Sequence, residues 1–483
     1  MKMYLDDQWV EASDKVWMEI RNPGTGEVLD RVPRGTLEDA ARMVAAAQKG
    51  KAAMRRLTAN QRYEILSRIA QAIEAHGEEL GRLLAAENGK PIQQTRAEVF
   101  VTANIFRGFA EESKRIFGRV MPVDAVRGNE RHFAFTIRQP LGVVAAIVPF
   151  NYPVELWGHK AAAALAGGNA VISKPPSACP LTLLKITELM EKVGLPPGAH
   201  QMITGPGAVI GDFLARSEGI QLITVTGSTE VGIRIAEIAA KNLKKVHMEL
   251  GGNDALIILA DADLEKASTA VVLGRLARGN GQICCAVKRV LVEQPIFDKF
   301  ANLLASKARE LKVGDQLQED TDVGPLINEQ AAKEVEAFIN GAVEGGAKLL
   351  AGGTRHGTFI DPTVLRDVAV DLPLFKEEVF GPVVPLVSFT SIDEAVNLAN
   401  SSPYGLQSAV FTQDINKALD IAYRLEAGGV IVNWSSALRV ETLPFGGIKM
   451  SGHGREGVHD TLDEMTDQKT VVVHNAFPPL QAG

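Results

Sequence analysis

The chain has 483 residues, 46% apolar and 23% charged, with a formal net charge of −7 and dispersed Lys and Arg; this is an ordinary globular composition, and neither a nucleic-acid footprint nor a membrane-surface patch is indicated. At roughly 150 residues per domain the length predicts about two or three domains and a large core. The opening MKMYLDDQWVEAS lacks the pattern of a signal peptide, and three cysteines (Cys179, Cys284, Cys285) in so long a chain argue against a disulfide framework, so a cytoplasmic protein is expected.

In chain order, the first third reads as mostly helical. Thr36-Leu-Glu-Asp39 opens an alanine-rich helix, apolar residues at helical spacing run from Tyr63 to Ile73, and a further amphipathic stretch runs from about Arg96 to Phe117. The longest apolar run, Leu141 to Phe150, is far short of the ~20 residues of a membrane helix, so no membrane partner is expected. Short β-branched runs follow. Val143–Ile147, Ala170–Ser173, Leu222–Thr226 and Ala255–Leu259 read as buried strands, separated by helix patterns such as Leu181–Lys192 and Glu230–Asn242. That alternation predicts an α/β fold with a parallel sheet and crossover helices. A second alternating series from about Leu264 to Val432 contains Arg289–Val292, Val383–Val387, Ser408–Phe411 and Gly429–Val432, and predicts a second α/β domain. Arg131–Arg138 and Thr470–Val473 stand apart from both series and suit a paired arm at an oligomer surface.

Several segments carry chemistry. Leu222–Thr226 runs into Gly227-Ser228-Thr229-Glu230-Val231-Gly232 and then a helix. Such a junction offers free N–H groups and the positive end of a helix dipole to a pyrophosphate, although its spacing is neither that of the Rossmann fingerprint nor that of a P-loop. In Val171-Ile172-Ser173-Lys174-Pro175-Pro176-Ser177 an ammonium and a hydroxyl lie just past a strand end, on a loop stiffened by two prolines. No carboxylate stands there to repel a phosphate on an adenine ribose. PFNYP (Pro149 to Pro153) supplies the Asn151 amide, and MELGGN (Met248 to Asn253) supplies the Glu249 carboxylate before two glycines. GNGQICCAVKR delivers Cys284 through a Gly-rich turn, followed by Lys288 and Arg289. Nucleophile, oxyanion donor and base together point to acyl chemistry on a carbonyl. Taken singly, each has a plainer reading as a core cysteine, a turn asparagine or a solvated acid, and Cys179 is expected to be an inert core thiol.

These segments, in this order, resemble the aldehyde dehydrogenase superfamily over nearly the whole chain, through PFN, SKPP, TGSTEVG, MELGGN, GQIC, EEVFGP and PFGGIKMSGHGREG. The resemblance implies a two-domain fold. A Rossmann-like cofactor domain would cover 1–117 and 141–251, a catalytic α/β domain 252–452, and a β oligomerisation arm 118–140 and 465–483. It implies oxidation of a small-molecule aldehyde by NAD or NADP in a homodimer or homotetramer, with no metal. Cys284 matches the nucleophile, Glu249 the base, Asn151 the oxyanion amide, and Lys160 with Glu456 a proton relay, although an ordinary ion pair fits the last two equally. Gly227, Ser228 and Gly232 match the pyrophosphate turn, Lys174 and Ser177 the adenosine ribose, Glu378 the nicotinamide ribose, and Phe150 with Phe380 the nicotinamide side of the tunnel.

Many NAD-preferring relatives carry glutamate where this chain has Ser177, so acceptance of NADP is expected and a preference for it allowed. Ile283 stands where relatives acting on glyceraldehyde-3-phosphate place arginine, while Tyr152 and the Lys-Pro-Pro loop look like theirs. Arg107 and Arg439 are candidates to meet an anionic tail, and Trp157 and Trp434 to shape an apolar pocket instead. Cys285 is expected as a small wall residue, with trapping of oxidised Cys284 the sharper alternative. The expected substrate is a short aldehyde with a polar or anionic tail. Aromatic or aliphatic aldehydes, coenzyme A acylation and a non-catalytic role are the competing readings.

Overall fold

The computed structural model describes residues 1–478, so the 479–483 end of the expected arm lies outside the described residues. One eight-stranded sheet runs in the order Gln8–Val10, Met3–Leu5, His200–Met202, Ala170–Lys174, Val143–Ile147, Leu222–Thr226, Lys245–Glu249, Gly452–His453. Its middle pairings are parallel and its outer ones antiparallel. The middle strands are buried along their length, which is why they read as continuous apolar runs rather than alternations.

The register of these strands places the chemistry. Thr226 lies opposite Glu249, and Ile147 opposite Lys174. The C-terminal ends of neighbouring strands therefore release the Pro149–Asn151 turn, Lys174, the Gly227 turn and Glu249 at one edge of the sheet, where ligands of open α/β sheets bind.

A seven-stranded sheet runs Lys348–Ala351, Thr363–Arg366, Val383–Phe389, Arg289–Glu293, Ala255–Ile258, Gln407–Phe411, Gly429–Val432. Ala255–Ile258 belongs here, between Arg289–Glu293 and Gln407–Phe411, and not to the first strand series in which the sequence pattern put it. An apolar run gives a strand's existence but not its sheet, and the chain changes sheets across Gly251–Asp254.

The amino-terminal third is mostly helical, as expected, but it opens on strands that the sequence pattern did not show. Four strands, Met3–Leu5, Gln8–Val10, Trp17–Arg21 and Val28–Pro33, precede the helices. The first two span three residues each and are completed by tertiary pairing, as in Tyr4 with Met202. No alternation long enough to register exists there. The helices begin where expected: Thr36 caps Leu37–Met54 in a capping box with Asp39. Helices Ala59–Ala75 and Ile92–Glu112 follow, and their inner faces pack with helix Pro153–Ala166 around Phe106, Phe109 and Trp157.

Apart from both sheets, Thr466–Val473 pairs antiparallel with Phe133–Pro140 in unbroken register, and Val120–Met121 adds a short third strand. Phe117, Val120 and Val472 are exposed on and beside this small sheet. Among the described residues no helix is long and apolar enough to cross a membrane, and no group of three or more His, Cys, Asp or Glu side chains is placed to hold a metal.

Candidate active site

Cys284 is delivered by a loop that only small or turn-forming residues can make. A π-helical segment, Val272–Ala277, ends in Gly279, Asn280 and Gly281 with φ of 58°, 54° and 73°, the left-handed region that favours Gly and Asn. Buried polar groups pin this bend. Arg275, with no exposed surface, donates from Nε to the Val383 carbonyl at 2.7 Å and from Nη1 to the Gly281 carbonyl at 3.1 Å. Asn280 Nδ2 donates to the carbonyls of Gly89 and Pro325 at 3.0 and 2.9 Å. Beyond the turn, Lys288 Nζ donates to the carbonyls of Cys284 and Gly252, each at 2.6 Å, and pairs with Glu378. Lys288 therefore ties the nucleophile loop to the strand exit after Glu249. In sequence it showed only as a cation near the cysteine.

Cys284 is partly exposed, whereas Cys285 and Ile283 are buried in the wall. A hydrogen bond with the Cys285 thiol, and then burial, push the Cys284 thiol well above its ordinary value, with Lys288 pulling the other way. Of the two hydrogen-bonded thiols Cys285 is the one pulled down, so the pair holds Cys284 toward its protonated form. Cys285 lines the same inner cavity as Cys284. Cys179 is buried, its Sγ 3.5 Å from the Phe150 carbonyl oxygen, in keeping with a structural thiol.

An inner cavity of about 30 Å³ is lined by Asn151, Tyr152, Arg278, Ile283, Cys284 and Arg439 among others. That volume suits a water or a reacting group rather than a bulky ring. Among the described residues, no intraprotein hydrogen bond engages the Asn151 side-chain amide, so its donor remains available beside the sulfur.

Glu249 ends strand Lys245–Glu249, is 2% exposed, and neither of its carboxylate oxygens has a hydrogen-bond partner. Burial, and then the charge of Glu456, raise it well above the usual carboxylate range. Glu456 shows the opposite balance. Burial works against its ionisation, but Lys160 and Arg439, each 2.6 Å from one of its oxygens, hold it well below that range. Two nearby carboxyls are thereby pushed in opposite directions, Glu249 toward its neutral form and Glu456 toward a fixed charge. Lys160 and Glu456 form a buried ion pair whose charges are felt at Glu249.

The groups expected to hold a dinucleotide lie along the sheet edge. Ser228 caps helix Thr229–Ala240. A Cβ at Gly232 would stand 2.5 Å from the Leu250 side chain, so glycine lets this helix sit close on the strand exit. Lys174 Nζ is 3.3 Å from Ser177 Oγ, and Ser177 donates to the Gly205 carbonyl at 2.8 Å. Burial lowers Lys174 to about 8. A cleft of about 520 Å³ is lined by Phe150, Pro176, Ser177 and Phe380 among others, and the rings of Phe150 and Phe380 are 6.3 Å apart. Glu378 is less free than its sequence position implies. Its Oε1 accepts from the Gly252 N–H at 2.9 Å and pairs with Lys288, which leaves Oε2 for a ribose hydroxyl. A helix N-terminus at the strand exit, a buried ammonium with no carboxylate partner among the described residues and a cleft walled by two aromatic rings fit a nicotinamide dinucleotide.

Outside Cys284 a larger cavity of about 550 Å³ is lined by Tyr152, Glu155, Arg278, Trp434, Leu438 and Arg439 among others. Two sequence candidates stand elsewhere. Arg107 pairs with Glu74 and donates to Asn104 Oδ1 at 2.8 Å on the outer side of its helix, so it lines neither cavity. Trp157 is fully buried in the core, where it packs against Phe106 and donates to Ser173 Oγ at 2.9 Å. Helix Pro153–Ala166 is buried on every face, so its periodicity gave no clue to which residues meet the tunnel. Arg439 does line both cavities, but two carboxylates already engage it, Glu456 at 2.6 Å and Glu155 at 3.8 Å.

Sequence reasoning missed Arg278. Its Nε donates to the Tyr152 hydroxyl at 3.2 Å and its Nη1 to the Ala437 carbonyl at 2.9 Å, and among the described residues no carboxylate pairs with it. The available signal was a cation six residues before Cys284 in the same turn.

Comparison with known proteins bears on the whole chain. The model of the aldehyde dehydrogenase family matches residues 9–471. The 3-sulfolactaldehyde dehydrogenase of Priestia aryabhattai is 40% identical over 472 residues, covering 98% of each chain. The lactaldehyde dehydrogenase of Methanocaldococcus jannaschii is 40% identical over 475 residues, covering 98% of this chain and all of its own. Among solved structures, an NADP-dependent enzyme of E. coli superposes with a TM-score of 0.95 at 34% identity, covering 98% of each chain.

Proposed function

Because this chain belongs to the aldehyde dehydrogenase family and is an NAD(P)-dependent aldehyde oxidoreductase, we propose that it oxidises a short aldehyde with a polar or anionic tail, using Cys284 as nucleophile. The observation that carries the substrate reading is Arg278. It lines both the small inner cavity of Cys284 and the larger cavity outside it and, among the described residues, forms no ion pair with a carboxylate, so a short molecule can set its carbonyl at the sulfur with its tail outside, against the guanidinium. The outer mouth carries Glu319, Asp320 and Asp322, which disfavours an anion lodged farther out. Relatives named for 3-sulfolactaldehyde and lactaldehyde, both short polar aldehydes, support this reading.

In this reading the partly exposed Cys284 thiol loses its proton to solvent, favoured by the Lys288 charge, and its sulfur adds to the aldehyde to give a thiohemiacetal. Its oxyanion accepts hydrogen bonds from the Asn151 amide and a backbone N–H beside Cys284. When bound, the nicotinamide supplies the acceptor for the hydride lost from that carbon. Glu249, unpaired and poised by burial, then draws a proton from water so that its oxygen attacks the Cys284 thioester. Acid and free thiol result. Lys160 and Glu456 hold charge behind the base and offer a route for the proton.

The test is a panel of succinic semialdehyde, lactaldehyde and benzaldehyde against wild type and Arg278→Leu. The wild type is expected to favour the first two in kcat/KM. Arg278→Leu should lose about 10- to 100-fold on the semialdehyde, the scale of a lost charged hydrogen bond, with little change on benzaldehyde. A wild-type preference for benzaldehyde would overturn the substrate reading.

The same proposal assigns Lys174 and Ser177 to a 2′-phosphate, so that NADP is accepted at least as well as NAD. Lys174 is charged below about 8 and loses its charge as pH rises through that value. NADP affinity is therefore expected to weaken between pH 7 and 9.5 while NAD affinity changes little. Titration calorimetry at the two pH values checks this, and a parallel fall for both cofactors would contradict it. Free thiols throughout support a reducing, cytoplasmic location. The exposed apolar Phe117, Val120 and Val472 of the three-stranded sheet support its use as the arm of a homodimer or homotetramer.

A further inference from the structure

The Phe150–Tyr152 turn, which presents the Asn151 amide, makes few hydrogen bonds of its own. Pro153 opens the next helix and has no N–H, and Tyr152 at its N-cap gives no side-chain cap. The orphan amides of that first turn need an acceptor from elsewhere. Glu98, on helix Ile92–Glu112, supplies it. Its Oε1 accepts from the N–H groups of Val154 at 2.9 Å and Glu155 at 3.2 Å.

The other Glu98 oxygen pairs with Lys90, which is 1% exposed. Lys90 spends its donors on three partners: Glu98, the Asn151 backbone carbonyl at 2.6 Å, and the face of the Tyr152 ring, whose centroid is 3.8 Å from Nζ. One step upstream, Asn88 Nδ2 donates to the Phe150 carbonyl at 2.5 Å. A buried ammonium and carboxylate so arranged grip both sides of the Asn151–Tyr152 turn. An isolated buried ion pair contributes little net stability, but one bonded to three consecutive segments of this turn fixes its geometry.

We propose that Lys90 and Glu98 are positioning residues of the oxyanion site: they act through the Asn151 backbone to hold its side-chain amide where charge develops, and through Tyr152 to hold the cavity wall. This rests on the reading of Asn151 as the oxyanion donor. Preorganisation of such donors carries much of the rate in acyl chemistry, and small misplacements are costly.

The test compares Lys90→Met, Lys90→Arg and the pair Lys90→Met/Glu98→Gln, each in wild-type and Asn151→Ala backgrounds, with succinic semialdehyde. The double variant removes both charges, so it keeps the experiment usable if Lys90→Met alone, which strands a buried carboxylate, fails to fold. The double variant is expected to lower kcat about 10- to 100-fold. The NADP dissociation constant and the rate of Cys284 alkylation by iodoacetamide should stay within about twofold, because neither depends on the oxyanion donor. Lys90→Arg should restore most of the rate, and in the Asn151→Ala background the double variant should cost nothing further.

Unchanged kcat, an equal loss in the Asn151→Ala background, or alkylation and cofactor binding that fall in step with kcat would each overturn the proposal. A full-rate Asn151→Ala single variant would instead sink the oxyanion reading itself, and the clamp with it.

Discussion

Cys284→Ser is expected to lower kcat/KM by at least about 10³-fold, a loss of roughly 4 kcal/mol or more of transition-state stabilisation. The size follows from the site. Even the thiol is pushed toward its protonated form here by its hydrogen bond with Cys285 and by burial, so its ionisation works against a raised pKa. A hydroxyl starts several pKa units higher and is the weaker nucleophile once ionised. Nothing in the dinucleotide groups changes, since Lys174, Ser177 and the Gly227 turn leave the other sheet's edge. NADP affinity should therefore match wild type within about twofold. Steady-state kinetics with cofactor titration check both. A serine enzyme that turns over within tenfold of wild type would remove Cys284 from the chemistry.

Glu249→Gln is expected to have the second-largest effect, roughly 10²- to 10³-fold in steady-state turnover. Its amide keeps the shape but cannot accept a proton. Hydride transfer precedes hydrolysis, so the variant should still give a burst of reduced cofactor approaching one per site, followed by slow turnover. The pH profile carries the sign. Glu249 sits well above the usual carboxylate range, and only its ionised form is a base. Wild-type rate should therefore climb as pH rises through that elevated value and fall below it. Glu249→Gln should lack this limb. A variant with the wild-type pH profile would show that the limb belongs to another group.

The parts of this enzyme legible in sequence are those where a few neighbouring residues do the work. The Thr36–Asp39 capping box, the strand runs that end at Ile147 and Thr226, and the Gly-rich approach to Cys284 are local signals, and the structure contains each of them. Less was legible where the partner is remote. Strands Met3–Leu5 and Gln8–Val10 exist through pairing nearly two hundred residues away, Tyr4 with Met202. Ala255–Ile258 looked like a member of the first series because burial on both faces erases the pattern that would assign it a sheet.

The candidate site shows the same division. Cys284 and Asn151 meet at one small cavity, while Glu249 and the Lys160–Glu456 pair lie behind it, coupled by charge. The choice among arginines was not readable, because what distinguishes Arg278 from Arg107 and Arg439 is which carboxylates reach each guanidinium. Lys90 and Glu98 were invisible for a related reason: a charged pair eight residues apart looks like a solvated helix face until Asn151 is seen against it.

The most direct measurement is mass spectrometry of Glu249→Gln enzyme quenched during turnover with succinic semialdehyde and NADP. The account predicts one acyl group, heavier than the free enzyme by the substrate less one hydrogen atom replaced on sulfur and one lost as hydride, on the peptide that contains Cys284. An unmodified Cys284 in enzyme that has reduced its cofactor, or an acyl group on another residue, would contradict it.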